Sequence, residues 1–220
     1  MSNVILYSTP SWLKAFTTGK GSGVEAVGLR LEDLALPRQV HLDNVVWMNE
    51  AGRPEATDAV VTDKPGLCVC VKTADCIPIL LYDTKKRIVA AVHAGWRGTV
   101  SRIISKAIKQ MQPQSPTDLH AIIGPGISLE QFEVGDEVYE AFRAEGFPME
   151  RIARKFNRWH IDLWEANRWL LEEEGVEDIF VEGTCTRTCE DFYSARRETI
   201  NTGRNYNGII INSSLSIHNS

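Results

Sequence analysis

No apolar run in this chain approaches the roughly 20 residues that cross a bilayer, so no membrane-spanning helix is expected. Positive charge is not in excess: 24 Lys and Arg against 29 Asp and Glu leave a net charge of −5, which argues against a broad nucleic-acid footprint. The G-x-G-x-x-G and Walker A signatures are missing, so ATP and dinucleotide binding are not expected. A G-x-S-x-G nucleophile elbow is missing as well. Residues 1–10 lack a basic segment followed by a long apolar core. The five cysteines are therefore expected to be reduced thiols in a cytoplasmic protein. No Gly/Pro/Ser-rich linker and no repeat divides the 220 residues, and a single domain over 1–220 is expected.

Short apolar runs rich in β-branched residues fill the middle of the chain. Residues 58–62, 67–72, 77–82 and 87–93 read as strands, separated by turn signals at 63–66 and 83–86. The second turn is short enough to make the last two runs a hairpin. Residues 4–7 read as an edge strand, 119–123 as a buried strand, and 179–182 and 208–212 as late strands. Apolar residues recur at helical spacing over 100–111, 136–145 and 162–174, and Asp162 with Glu165 forms a capping box. Residues 19–23 read as a flexible Gly-rich loop. The fold class expected is α+β, with mixed sheets and flanking helices rather than a doubly wound parallel sheet.

The segment His93-Ala94-Gly95-Trp96-Arg97-Gly98-Thr99 stands where an apolar run gives way to a helical pattern. Such a junction presents side chains and free backbone N–H groups to a ligand and favours anions. Upstream, Cys76 sits beside Asp75 at the mouth of another apolar run, and Gln39-Val40-His41 supplies a second imidazole. Two histidines and one cysteine suit a three-ligand catalytic zinc site. The plainer reading makes His93 a satisfied core histidine and Cys76 a small buried hydrophobe. Cys68 and Cys70 alternate within one strand and read as core packing; His120, His160 and His218 read as structural or solvated. Cys185 and Cys189 are spaced too widely for the usual structural zinc pair. Near the end of the chain, Arg196, Arg197 and Arg204 lie among aromatic and hydroxyl residues. They read either as a clamp for phosphate or carboxylate, or as a solvated loop paired with Glu190, Asp191 and Glu198.

Taken together, Gln39-Val40-His41, Thr73-Ala74-Asp75-Cys76-Ile77-Pro78, the segment from His93 to Thr99, Ile123-Gly124-Pro125-Gly126-Ile127, Phe132-Glu133-Val134-Gly135, Cys185-Thr186, Phe192-Tyr193-Ser194-Ala195-Arg196-Arg197 and Thr202-Gly203-Arg204 resemble the bacterial laccase-domain family, also called the multicopper polyphenol oxidase or purine nucleoside phosphorylase family. The resemblance covers nearly the whole chain. It implies one domain of layered sheets, a zinc ion on His41, Cys76 and His93, and phosphorolysis of adenosine, inosine, guanosine and methylthioadenosine, with adenosine deamination as a further activity. The chain departs from the family in the Gly-rich stretch around Lys20, which lacks the usual arginine and Asn-Leu pair.

Multicopper oxidation needs a cluster built from many histidines, and this chain has five in all, three of them read as structural. Zinc is therefore the expected metal, with copper at the same ligands as the alternative. For phosphorolysis Arg97 is the expected phosphate contact, assisted by Arg196 or Arg197, and Asp75 orients a ligand or moves a proton. The substrates expected are a purine nucleoside and phosphate, with no nucleic acid and no membrane as partner. Two other classes remain open: a Cys76–His93 thiol amidase or hydrolase that needs no metal, and a zinc-stabilised binding module.

Overall fold

Strand residues buried on both faces sort the chain into layers. The computed structural model of the protein describes residues 3–213, so His218 lies outside the described residues. In chain order the strands are β1 (Val4–Leu6), β2 (Leu13–Thr18), β3 (Leu34–Ala35), β4 (Val45–Trp47), β5 (Ala59–Thr62), β6 (Cys68–Thr73), β7 (Ile77–Asp83), β8 (Val89–Ala94), β9 (Leu119–Ile123), β10 (Glu133–Val134), β11 (Ala153–Lys155), β12 (Trp159–Ile161), β13 (Asp178–Val181) and β14 (Asn205–Ile211). The helices are α1 (Trp96–Val100), α2 (Ile103–Met111), α3 (Asp136–Ala144), α4 (Met149–Ile152) and α5 (Leu163–Glu173). A six-stranded sheet runs β13-β9-β7-β8-β5-β4, a five-stranded sheet runs β1-β2-β14-β6-β3, and β10-β12-β11 form a small third sheet. The fold is mixed α+β, as expected.

Successive residues of the central strands face opposite layers. Val60, Leu80 and Ala91 pack with Val69, Val71 and Ile209 of the five-stranded sheet. Their neighbours Val61, Ile79 and Val92 pack with Ile104, Ile108 and Leu170 of the helices. Both faces of the six-stranded sheet are thus covered, which is why its strands read as continuous apolar runs. On the far face of the five-stranded sheet, Phe16, Cys68, Cys70 and Ile210 pack with Val24, Leu34 and Leu36. Cys68 and Cys70 are core residues, and burial pushes the Cys68 thiol up to about 12.

Two local expectations differ from the structure. The helix expected over 100–111 is two helices, α1 and α2, with Arg102 between them in the left-handed region at φ 57. The break turns α1 so that Thr99 bonds Asn167 of α5, while the Arg102 guanidinium lies against the Trp169 and Phe147 rings. The Gly-rich loop is fastened at both sides: Gly19 N–H donates to the Asn3 carbonyl and Lys20 N–H to the Asp191 carbonyl. The Lys20 ammonium pairs with Glu198.

Candidate metal centre

The β7–β8 hairpin builds the centre of the site. Its register sets Ile77 opposite Ala94 and Pro78 opposite His93, so Cys76, one residue before β7, meets His93 near the end of β8. On the other side of β8, β5 pairs Ala59 with Val92, which brings Asp58 beside His93: the His93 N–H donates to the Asp58 carbonyl at 2.8 Å. His41 arrives on a loop held by two devices. The Gln39 side chain bonds both the N–H and the carbonyl of Lys72, at 2.8 Å each. The backbone N–H groups of Val40, His41 and Leu42 all donate to the Asp58 carboxylate, at 3.2, 2.9 and 3.0 Å. Wrapping three successive N–H groups round one carboxylate bends the chain sharply, and His41 sits in the left-handed region at φ 61.

The result is a cluster in which one donor atom each of His41, Cys76 and His93 lies within 4.8 Å of the others. The two imidazole rings meet edge to face, 4.8 Å apart. Asp58 accepts a fourth hydrogen bond, from His93 Nδ1 at 2.8 Å, which leaves Nε2 to face the cluster. Small residues make the room: a Cβ on Gly95 would lie 3.1 Å from Cys76 Sγ. A borderline-soft divalent ion bound by one thiolate and two imidazoles at about 2.0–2.3 Å fits this donor set with little rearrangement.

Electrostatics separates the charges. Burial pushes the Cys76 thiol up, but the adjacent His93 charge and hydrogen bonds from His41 and His93 outweigh it and bring it down to about 6. Burial pushes His93 down, but the Cys76 thiolate and the Asp58 hydrogen bond raise it to about 9. Burial also works against ionised Asp58, yet its bonds to His93, Leu42 and Val40 hold it below the usual carboxylate range. Both shifts favour the thiolate–imidazolium form of the Cys76–His93 pair.

The cluster opens into a cavity of about 220 Å³ whose lining includes Gln39, Lys72, Ala195, Ile200 and Arg204. Other residues expected at the site stand around it. Asp75, at φ 95, spends its carboxylate on the Thr186 hydroxyl and the Arg196 N–H, both at 2.7 Å, and so pins the 186–196 loop that carries Ala195. The Arg196 guanidinium reaches the Glu133 carbonyl. That of Arg197 binds the carbonyls of Thr186, Arg187, Cys189 and Phe192. Arg97 stacks on Trp96, 4.3 Å from the ring centre. None of these three arginines lines the cavity. His120 pairs with Asp178, and His160 bonds the Leu129 carbonyl, both away from the cluster. Of the three arginines read as a possible clamp, Arg204 alone lines the cavity, while Asp58 and Lys72 enter the site from outside the expected set. For Asp58 the available signal was an acidic residue just before the buried strand Ala59–Thr62.

The family described as multi-copper polyphenol oxidoreductase laccase matches residues 21–212. A purine nucleoside phosphorylase of Bacteroides thetaiotaomicron is 43% identical over 201 residues, covering 82% of this chain and 74% of that one. An adenosine deaminase, RL5, from an unknown prokaryotic organism is 42% identical over 202 residues, covering 83% of this chain and 77% of that one. The crystal structure of Neisseria meningitidis protein NMB0706 superposes with a TM-score of 0.85 at 28% identity, covering 96% of this chain and 100% of that one. On the extent of these matches, the chain belongs to the multi-copper polyphenol oxidoreductase laccase family.

Proposed function

We propose that this protein is a zinc-dependent purine nucleoside phosphorylase that also deaminates adenosine. The observation that carries the reading is the convergence of His41, Cys76 and His93 at the floor of an open cavity. Relatives named as purine nucleoside phosphorylase and adenosine deaminase support the substrate class, a purine nucleoside with phosphate or water. A zinc ion on these three ligands would supply a Lewis acid with one open position. Asp58 fixes the tautomer and direction of His93 and the path of the His41 loop, as outer-layer carboxylates do for metal-bound imidazoles. Ile200, 68% exposed at the rim, offers an apolar surface for the purine. Asp75, Arg196 and Arg197 shape the wall that carries Ala195. A ligand thiol that must stay reduced suits the cytoplasm.

The test follows adenosine with and without phosphate. Adenine and ribose 1-phosphate are expected with phosphate and inosine without it; a pure zinc-loaded protein that forms neither contradicts the reading.

The low Cys76 pKa beside His93 favours a second reading, a metal-free thiol hydrolase. Iodoacetamide separates the two: it inactivates the thiol enzyme fully and is excluded by bound zinc. Laccase chemistry finds too few ligands, because among the described residues His41 and His93 are the only histidines in the cluster.

A further inference from the structure

Lys72 lies in the cavity wall within reach of the cluster, and its surroundings are unusual for a half-buried cation. It follows Cys68 and Cys70 on one face of β6, where that face leaves the core and meets the cavity. Gln39 fixes its backbone from the other side. Burial, followed by the charges of Arg53 and Arg204, pushes the Lys72 ammonium below its ordinary value. Among the described residues, no carboxylate comes within salt-bridge distance of Lys72, Arg53 or Arg204. The Arg204 guanidinium closes the 200–203 turn through the carbonyls of Ile200, Thr202 and Gly203, so its charge is held at the cavity rim. Gly203 is needed there, because a Cβ would lie 2.4 Å from the Tyr193 ring.

Two cations, Lys72 and Arg204, line one cavity without a paired carboxylate, which favours an anion between them. We propose that Lys72, backed by Arg204, is an oxyanion subsite that takes a phosphate group beside the His41–Cys76–His93 cluster. The proposal deepens the phosphorylase reading and rests on it for the phosphate being a co-substrate. Lys72 is the direct contact, its ammonium without a carboxylate partner among the described residues, while Arg204 supplies field. The same chemistry would suit inorganic phosphate or the 5′-phosphate of a nucleotide.

Calorimetric titration of the full protein with inorganic phosphate, and separately with adenosine 5′-monophosphate, tests this in wild type, Lys72→Met and Lys72→Arg. Loss of one charge-assisted contact predicts a roughly ten- to hundredfold weaker phosphate Kd in Lys72→Met, largely restored in Lys72→Arg. The KM for phosphate should rise by a similar factor while kcat changes little. If only the nucleotide loses affinity, the subsite stands and its phosphate is that of a nucleotide. Equal phosphate affinity in wild type and Lys72→Met overturns the proposal, as does a wild type that binds neither anion. A wild type that consumes no nucleoside, with phosphate binding still lost in Lys72→Met, removes the phosphorylase reading and keeps the subsite. A wild type that phosphorolyses adenosine, with phosphate binding unchanged in Lys72→Met, does the reverse.

Discussion

Asp58 does more for the site than any residue that touches its ligands. One fully buried carboxylate holds three N–H groups of the His41 loop and Nδ1 of His93. Asp58→Asn keeps the shape, loses the charge and turns one acceptor into a donor. Metal affinity, measured by competition with a chelator, should fall about 10–100-fold. Unchanged affinity would show that the His41 loop holds itself. A second expectation concerns protons in the metal-free protein. His93 rises from 6.5 to about 9, so its contribution to stability is complete below 6.5 and is lost as pH rises through about 9. Cys76 falls from 9.0 to about 6, so its contribution is present above 9.0 and is lost as pH falls through about 6. Between these limits the folded protein carries its proton on His93 and the unfolded chain carries it on the thiol. The two slopes cancel, and this pair adds almost no pH dependence to stability. Ultraviolet thiolate absorbance does report it: the signal should persist down to about pH 6, and in His93→Gln it should appear only at alkaline pH. At this scale Cys76 and His93 stood out at the edges of apolar runs, while His41, in a polar stretch, came into view through the family resemblance. Asp58 did not, because its role comes from strand register across 35 positions.

Among the elements, the β7–β8 hairpin and α1 set the geometry. Both hairpin strands were readable, since apolar runs flank a short polar turn. β2, β4 and the β10–β12 sheet were not, being very short or, like β2 (Leu13–Thr18), buried on both faces with mixed composition. The break between α1 and α2 was invisible because apolar spacing continues through it. α1 rests on the His41 loop at Gly98, where a Cβ would lie 2.8 Å from the Leu42 carbonyl oxygen. In an open helix, Gly→Ala stabilises by about 1 kcal/mol; here overpacking against backbone costs about 1–3 kcal/mol and decides the sign. Gly98→Ala should therefore lower Tm and weaken metal binding roughly tenfold by displacing His41. A stabilised variant with native metal affinity would show that α1 does not support the loop.

For the whole molecule, the three apolar clusters are built without His41, Cys76 or His93. The fold should survive chelation. Metal present at about a thousandfold over its Kd adds about 4 kcal/mol, which for a domain of this size is roughly 8–16 °C in Tm. Chelated protein should keep its far-ultraviolet dichroism and a cooperative transition with Tm lowered by about that much; outright unfolding would favour the zinc-stabilised module. The single mixed-sheet domain was readable from strand density and the lack of a linker. The family resemblance implied the layers but not the strand order within them: β14 slots between β2 and β6 through pairings that no local pattern announces.

The central claim is that His41, Cys76 and His93 share one divalent ion. X-ray absorption at the zinc edge of the purified protein reads its ligands directly. The account predicts one sulfur at about 2.3 Å with nitrogen or oxygen neighbours at about 2.0–2.1 Å, and loss of the sulfur in Cys76→Ser. A zinc spectrum with no sulfur in the wild type would contradict it.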